Sequence, residues 1–178
     1  MKDWRLEIGT LIKIHQEIRV RDVNRVWAND LPRVAAQSDR LREAEELLGP
    51  LDPDYKGFLC FADGWPAFYQ WVDLFGTPEL LGKAFQNARA RLDSCRSALE
   101  AKGIRPEAAF PIAMTRMEIS SSDPDVFFVL SPRPATAGRV LWVASEIVDE
   151  FSGFDEFFAA MTEYNRIEVA ELMGDTRG

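Results

Sequence analysis

After Gly103 the hydrophobic period of this chain changes, and that change constrains the fold more than any other feature of the sequence. Up to that point apolar residues recur every three or four positions, the spacing of one helix face. Beyond it stand three short apolar runs, 110–114, 126–130 and 140–144, bounded by Pro, Gly, Ser and Asp. Runs of this length joined by short turns predict an antiparallel meander, with residues 131–138 as the hairpin loop between the last two. The helical period then returns in Phe154, Phe157, Phe158, Met161 and Tyr164.

The helical half reads in segments. Trp4, Ile8, Leu11, Ile12, His15 and Ile18 place a first helix over Asp3 to Arg25. Pro32 interrupts the pattern, and a second helix carries Leu41, Ala44, Leu47 and Leu48 inward. Gly49 and Pro50 stop it, since glycine accepts the left-handed cap and proline lacks the N–H. Asp52 and Pro53 start another helix, whose buried face is Tyr55, Phe58, Leu59 and Ala62. Phe68 to Phe75 reads as strand or hairpin, closed by Gly76. Leu81, Phe85, Ala88, Leu92, Cys95 and Leu99 then keep one helical stripe from Thr77 to Lys102, with Arg89, Arg91 and Arg96 on its solvated face. Ser152 to Asp155 matches a capping box before the last helix, with Asp155 in place of the preferred Glu. The sum is one α+β domain over residues 1–178: a mostly antiparallel sheet of four to six strands flanked by helices, with a frayed tail at 174–178.

Composition narrows the chemistry. Twenty-one basic and 29 acidic residues give a formal charge of −8, which disfavours direct binding to a phosphate backbone and suits a basic partner. The same charge also serves plain solubility. No apolar run approaches the roughly 20 residues that span a bilayer, and nothing at the N-terminus resembles a signal peptide. Cys60 and Cys95, the two cysteines, form no disulfide framework, and both fall among apolar neighbours on predicted helices. A cytoplasmic protein that associates with no membrane is the expectation.

Catalytic groups are sparse. His15 is the single histidine and lies on an apolar stripe, the position of a core or boundary residue. One histidine rules out the common two-histidine zinc motifs, and neither cysteine sits in a nucleophile motif. No Gly-rich loop follows a strand to cradle phosphate. Two carboxylate pairs, Asp52 with Asp54 and Asp123 with Asp125, are formally able to do acid–base work or hold a hard cation. Helix capping accounts for the first pair and a turn around Pro124 for the second. No catalytic residue, cofactor or metal is expected.

Three segments resemble the SUKH superfamily, typified by a fungal cell-wall-synthesis regulator and many bacterial immunity proteins. The first runs from Ala44 through Leu48, Gly49, Leu51, Pro53 and Tyr55 to Phe58 and Leu59. The second is Asp63, Gly64 and Trp65 followed by Val72 to Gly76; a single glycine stands where the family has two. The third is Gly138 to Trp142 leading into Phe154 to Phe158. The resemblance covers 41–164 and leaves 1–40 as an N-terminal helical extension.

The resemblance implies a non-catalytic binding protein that neutralises a cognate toxin by direct contact, the partner being a basic toxin domain such as a nuclease. A regulator or scaffold of the same fold with a housekeeping partner is the alternative, and a small-ligand binder or enzyme the third reading. A monomer is the simpler expectation. Candidate partner contacts are the acids and aromatics near the sheet: Asp63, Trp65, Tyr69, Asp73, Asp123, Asp125 and Glu146. Each has a plainer role open to it. Trp65 can cover the core, Tyr69 and Asp73 can form the solvated face of a strand, and Asp123 and Asp125 can shape a turn.

Overall fold

The computed structural model describes residues 2–116, 124–130 and 138–174. The expected loop at 131–137, the tail beyond 174 and Asp123 lie outside the described residues. Helix α1 (Trp4–Arg21) begins where the Asp3 carboxylate accepts the amides of Arg5 and Leu6. It ends four residues before Arg25. The buried Asp22 carboxylate takes the amides of Val26 and Trp27 at 2.9 and 2.8 Å, so the chain leaves the helical ladder for a side-chain acceptor.

Helix α2 (Ser38–Leu48) buries Leu41 and Ala44, whereas Leu47, expected in the core, is 69 % exposed. The helix is short enough that one narrow stripe meets the protein, and Leu47 falls just outside it. In α3 (Pro53–Leu59), Asp52 Oδ1 caps the amides of Asp54 and Tyr55, both at 3.0 Å. Cys60, which ends α3, is exposed; Cys95 is buried.

The aromatic run forms a hairpin, β1 (Trp65–Tyr69) and β2 (Val72–Leu74). The single helix expected over 77–102 is three: α4 (Thr77–Leu80), α5 (Lys83–Ser94) and α6 (Arg96–Ala101). Gly82, in an extended conformation, breaks the first junction. Cys95 shares its N–H between the Arg91 and Leu92 carbonyls at the second. Arg89 and Arg91 do not lie on the solvated face expected of them. Arg89 reaches the carbonyls of Pro106 and Ala109, and Arg91 those of Pro124 and Ala144. Strand-end carbonyls need donors, and a long guanidinium supplies them while its stem packs.

Strands β3 (Ala109–Thr115), β4 (Val126–Leu130), β5 (Val140–Val143) and β6 (Ile147–Phe151) follow. Among the described residues the sheet has six strands, all antiparallel, in the order β1-β2-β3-β4-β5-β6. The meander was expected; β6 was not, because an edge strand with one wet face has few apolar residues to announce it. Strand β4 is buried at every position, which requires cover on both faces. Helix α5 packs on β3 and β4, and α7 (Phe154–Gly174) lies with α1 and α3 over the other face. Ser152 N–H donates to Glu156 at 2.6 Å, so the box at the start of α7 closes one residue later than Asp155.

The core between α1, α3, β1 and α7 is aromatic. Phe158 lies 5.3 Å from the rings of both Trp4 and Phe68 and 5.7 Å from that of Phe58. Helix α1 therefore belongs to the same core as the residues that follow it.

His15 is buried beside Trp65, and its Nε2 donates to the Phe68 carbonyl at 3.2 Å. Burial pushes its pKa down and outweighs the raising effects of the Phe68 and Asp30 carbonyls and of Asn165. The unfolded chain then binds this proton more readily, so His15 subtracts stability as pH falls below about 6.5. Urea unfolding from pH 7 to 5 should show a steeper loss for the wild type than for His15→Gln. Equal slopes would mean that His15 does not titrate on unfolding.

Candidate functional site

Three of the expected partner contacts are consumed by the fold. Asp63 accepts the Thr77 amide on Oδ1 and the Thr77 hydroxyl on Oδ2, and so holds the start of α4. Trp65 is fully buried and donates its indole N–H to the Asp30 carbonyl at 2.9 Å; it is not available to a partner. Asp73 Oδ1 accepts the amide of Ala67 at 2.7 Å and Arg116 Nε at 2.9 Å. Ala67 sits at φ 49°, in the irregularity of β1, where no sheet neighbour takes its N–H. The physical reason is common to Asp63 and Asp73: amides at helix starts and bulges lack partners, and a nearby carboxylate supplies one.

Tyr69 and Asp125 are brought together with residues that the sequence reading missed. Tyr69 ends β1, Trp142 stands on β5 and Tyr164 on α7. Their ring centroids form a near-equilateral triangle of 6.3, 6.0 and 6.2 Å, and all three rings are half-buried. Trp142 stacks on the buried Phe127 at 5.0 Å. Acids surround the triangle. Asp125 Oδ1 accepts the Trp142 indole N–H at 2.9 Å, and Asp149 Oδ2 accepts the Tyr164 hydroxyl at 3.2 Å. Gln70, at φ 50° in the hairpin turn, bridges the Tyr69 hydroxyl and Glu168.

The rings are fixed by ordinary local rules. Tyr164, Glu168 and Glu171 fall at i, i+4 and i+7 on α7 and share one face. Phe127 and Trp142 are direct cross-strand partners. Glu146 is exposed in the tight β5–β6 turn, at the same end of the sheet as Asp125.

The electrostatics are one-sided. Burial pushes the Tyr69 phenol up to about 12, with Glu168, Tyr164, Glu171 and Asp125 adding to the rise. Tyr164 is raised as well, by burial and then by Asp149. Both phenols therefore stay neutral and present hydrogen bonds rather than charge. Among the described residues, none of Asp125, Glu146, Asp149, Glu168 or Glu171 forms an ion pair. The sequence explains the imbalance. Residues 141–178 hold nine acidic and two basic side chains, whereas the first 140 hold 20 and 19, so nearly all of the net charge comes from the unit that builds this surface.

No protein-family model matches the chain, and no curated protein matches it. The surface is therefore read from its own chemistry. Half-buried tyrosine and tryptophan are the side chains that most often anchor an interface, and uncompensated carboxylates around them favour a cationic partner. Stacking of a guanidinium or ammonium on such rings adds to the attraction. The signal missed in the sequence was the Tyr164, Glu168 and Glu171 spacing; Trp142 was hidden inside an apolar run that reads as core.

Among the described residues, no group of three or more His, Cys, Asp or Glu is arranged to hold a metal ion. No helix among them is long and apolar enough to cross a membrane.

Proposed function

We propose that this chain is a SUKH-like binding protein that neutralises a basic toxin domain by direct contact. The observation that carries this reading is the triangle of Tyr69, Trp142 and Tyr164 set among Asp125, Asp149, Glu168 and Glu171. The three segments behind the family resemblance support it, since they fold as helix–turn–helix, turn–hairpin and, with β6 between them, strand and helix. A nuclease presents a cationic surface to phosphate; an acidic surface with aromatic anchors competes for that surface and speeds encounter with it.

The test is co-expression with the toxin-like domain encoded next to this gene, followed by binding kinetics. Wild-type protein should rescue growth, and association should slow as salt rises. The double variant Glu168→Lys with Glu171→Lys should slow association by about ten-fold or more at low salt, with a native circular dichroism spectrum and only a small fall in melting temperature from the lost Gln70–Glu168 bond. Unchanged kinetics would remove this surface from the interface. Failure of the wild type to rescue any neighbouring toxin would remove the immunity reading.

A further inference from the structure

The sheet end opposite the aromatic triangle holds a cavity of about 590 Å³, in the range of small-molecule sites. It lies between the α2–α3 connection, the start of α7 and the ends of β3 and β4. Leu48, Leu51, Phe110 and Val129 contribute apolar wall, and Asp52 and Asp155 carboxylates. We infer that this cavity binds a small primary amine with an apolar body, the ammonium group meeting Asp52 and the body lying along Phe110 and Val129.

The argument begins with Asp52. Its Oδ1 is used by the cap of α3, accepting Asp54 N–H and Tyr55 N–H. Its Oδ2 receives no hydrogen bond from the described residues. Gly138 comes close to it without blocking it, since an added Cβ there would lie 3.2 Å from Oδ2. Asp155 uses Oδ1 for the Glu156 amide, 2.9 Å away, and stands near enough to Asp52 to act on its charge.

Among the described residues, the nearby cations are engaged elsewhere. Lys56 pairs with Glu45, Arg139 with Glu150, and Lys2 with Glu7 while it donates to the Asp155 carbonyl. Burial pushes the Asp52 carboxyl up against the lowering effect of its own cap, and Asp54 and Asp155 add to the rise. An ammonium group relieves both the desolvation and the repulsion, and the walls take up the apolar remainder. A carboxylate-bearing ligand of the same shape meets like charge, and a neutral alcohol forgoes the charge-assisted bond.

Tryptamine, its alcohol analogue tryptophol and indole-3-acetate make a matched set of probes, read by calorimetry and by NMR shifts on the full chain. Tryptamine should bind saturably, tryptophol about ten-fold or more weakly, and indole-3-acetate more weakly still. Asp52→Asn keeps an equally good helix cap and should bring tryptamine down to the level of tryptophol. Leu48→Trp fills the cavity and should abolish binding of all three. The inference is overturned by equal binding of the three probes, by no saturable binding of tryptamine, or by tryptamine binding that neither variant weakens. Should Asp52→Asn lose its fold, Asp155→Asn and Leu48→Trp still decide the matter. The toxin reading stands or falls separately, because it uses the other end of the sheet.

Discussion

Gly76→Ala is expected to destabilise the protein by about 3–5 kcal/mol, read as a fall in the urea midpoint with an unchanged slope. A Cβ on Gly76 would fall inside the van der Waals radius of the Asp63 carbonyl oxygen and also meet the Asp63 carboxylate. The neighbouring chain cannot give way. A Cβ on Gly64, at φ +79°, would in turn fall on the backbone of Gly76 and the carbonyl of Leu74, so two glycines let two backbones cross in contact. Asp63 also holds Thr77, and Arg33 forks onto Glu79 at 2.8 and 2.7 Å while donating to the Asp63 carbonyl. Pushing the strands apart breaks this set of bonds together. Gly9 is the contrast: it lies within α1 with nothing within 4 Å of an added Cβ, so Gly9→Ala should stabilise by about 0.5–1 kcal/mol. If both alanines behave alike, the crossing is not the constraint argued above.

The second large effect is Phe158→Ala, expected to cost about 3–5 kcal/mol. Phe158 has no exposed surface and touches rings from α1, α3, β1 and α7. Four elements hold the cavity open, so collapse around the missing ring is small and the cavity penalty adds to the lost burial. Near-UV circular dichroism should weaken along with the unfolding midpoint. Leu47→Ala, at a position whose apolar side chain is mostly in solvent, should stay within about 0.5 kcal/mol. A large loss at Leu47 would contradict its observed exposure and restore the sequence expectation.

These two sites also show where the sequence was legible. Phe154, Phe157, Phe158 and Met161 repeat at helical spacing, and all are buried in α7 as that spacing requires. The three apolar runs after Gly103 became β3, β4 and β5 with nearly the expected limits. Strand β6 escaped because its pattern alternates half-buried and exposed positions until Phe151. The break between α5 and α6 escaped because one apolar stripe runs through both, and Cys95 changes its hydrogen bond without leaving the stripe.

The candidate site was less legible than the fold. Asp63, Trp65 and Asp73 stood out because acids and aromatics near turns look like contact residues, and each proved to be held by the backbone around it. Whether such a side chain is free depends on which backbone and side-chain partners the fold brings to it, and some of those come from distant segments. Asp30 and Arg116, which engage Trp65 and Asp73, are far from them in sequence. Tyr69, Trp142 and Tyr164 come from β1, β5 and α7, and no local pattern joins them.

By itself the sequence determined the class of fold, because hydrophobic period and turn chemistry act over a few residues and are written in order along the chain. It also determined an acidic chain with a single histidine. Only the tertiary structure decided which acids remain unpaired, where three rings meet, and which backbones cross at Gly64 and Gly76. Those properties depend on contacts between residues far apart in sequence, and the meander and its covering helices must be in place before such residues are neighbours at all.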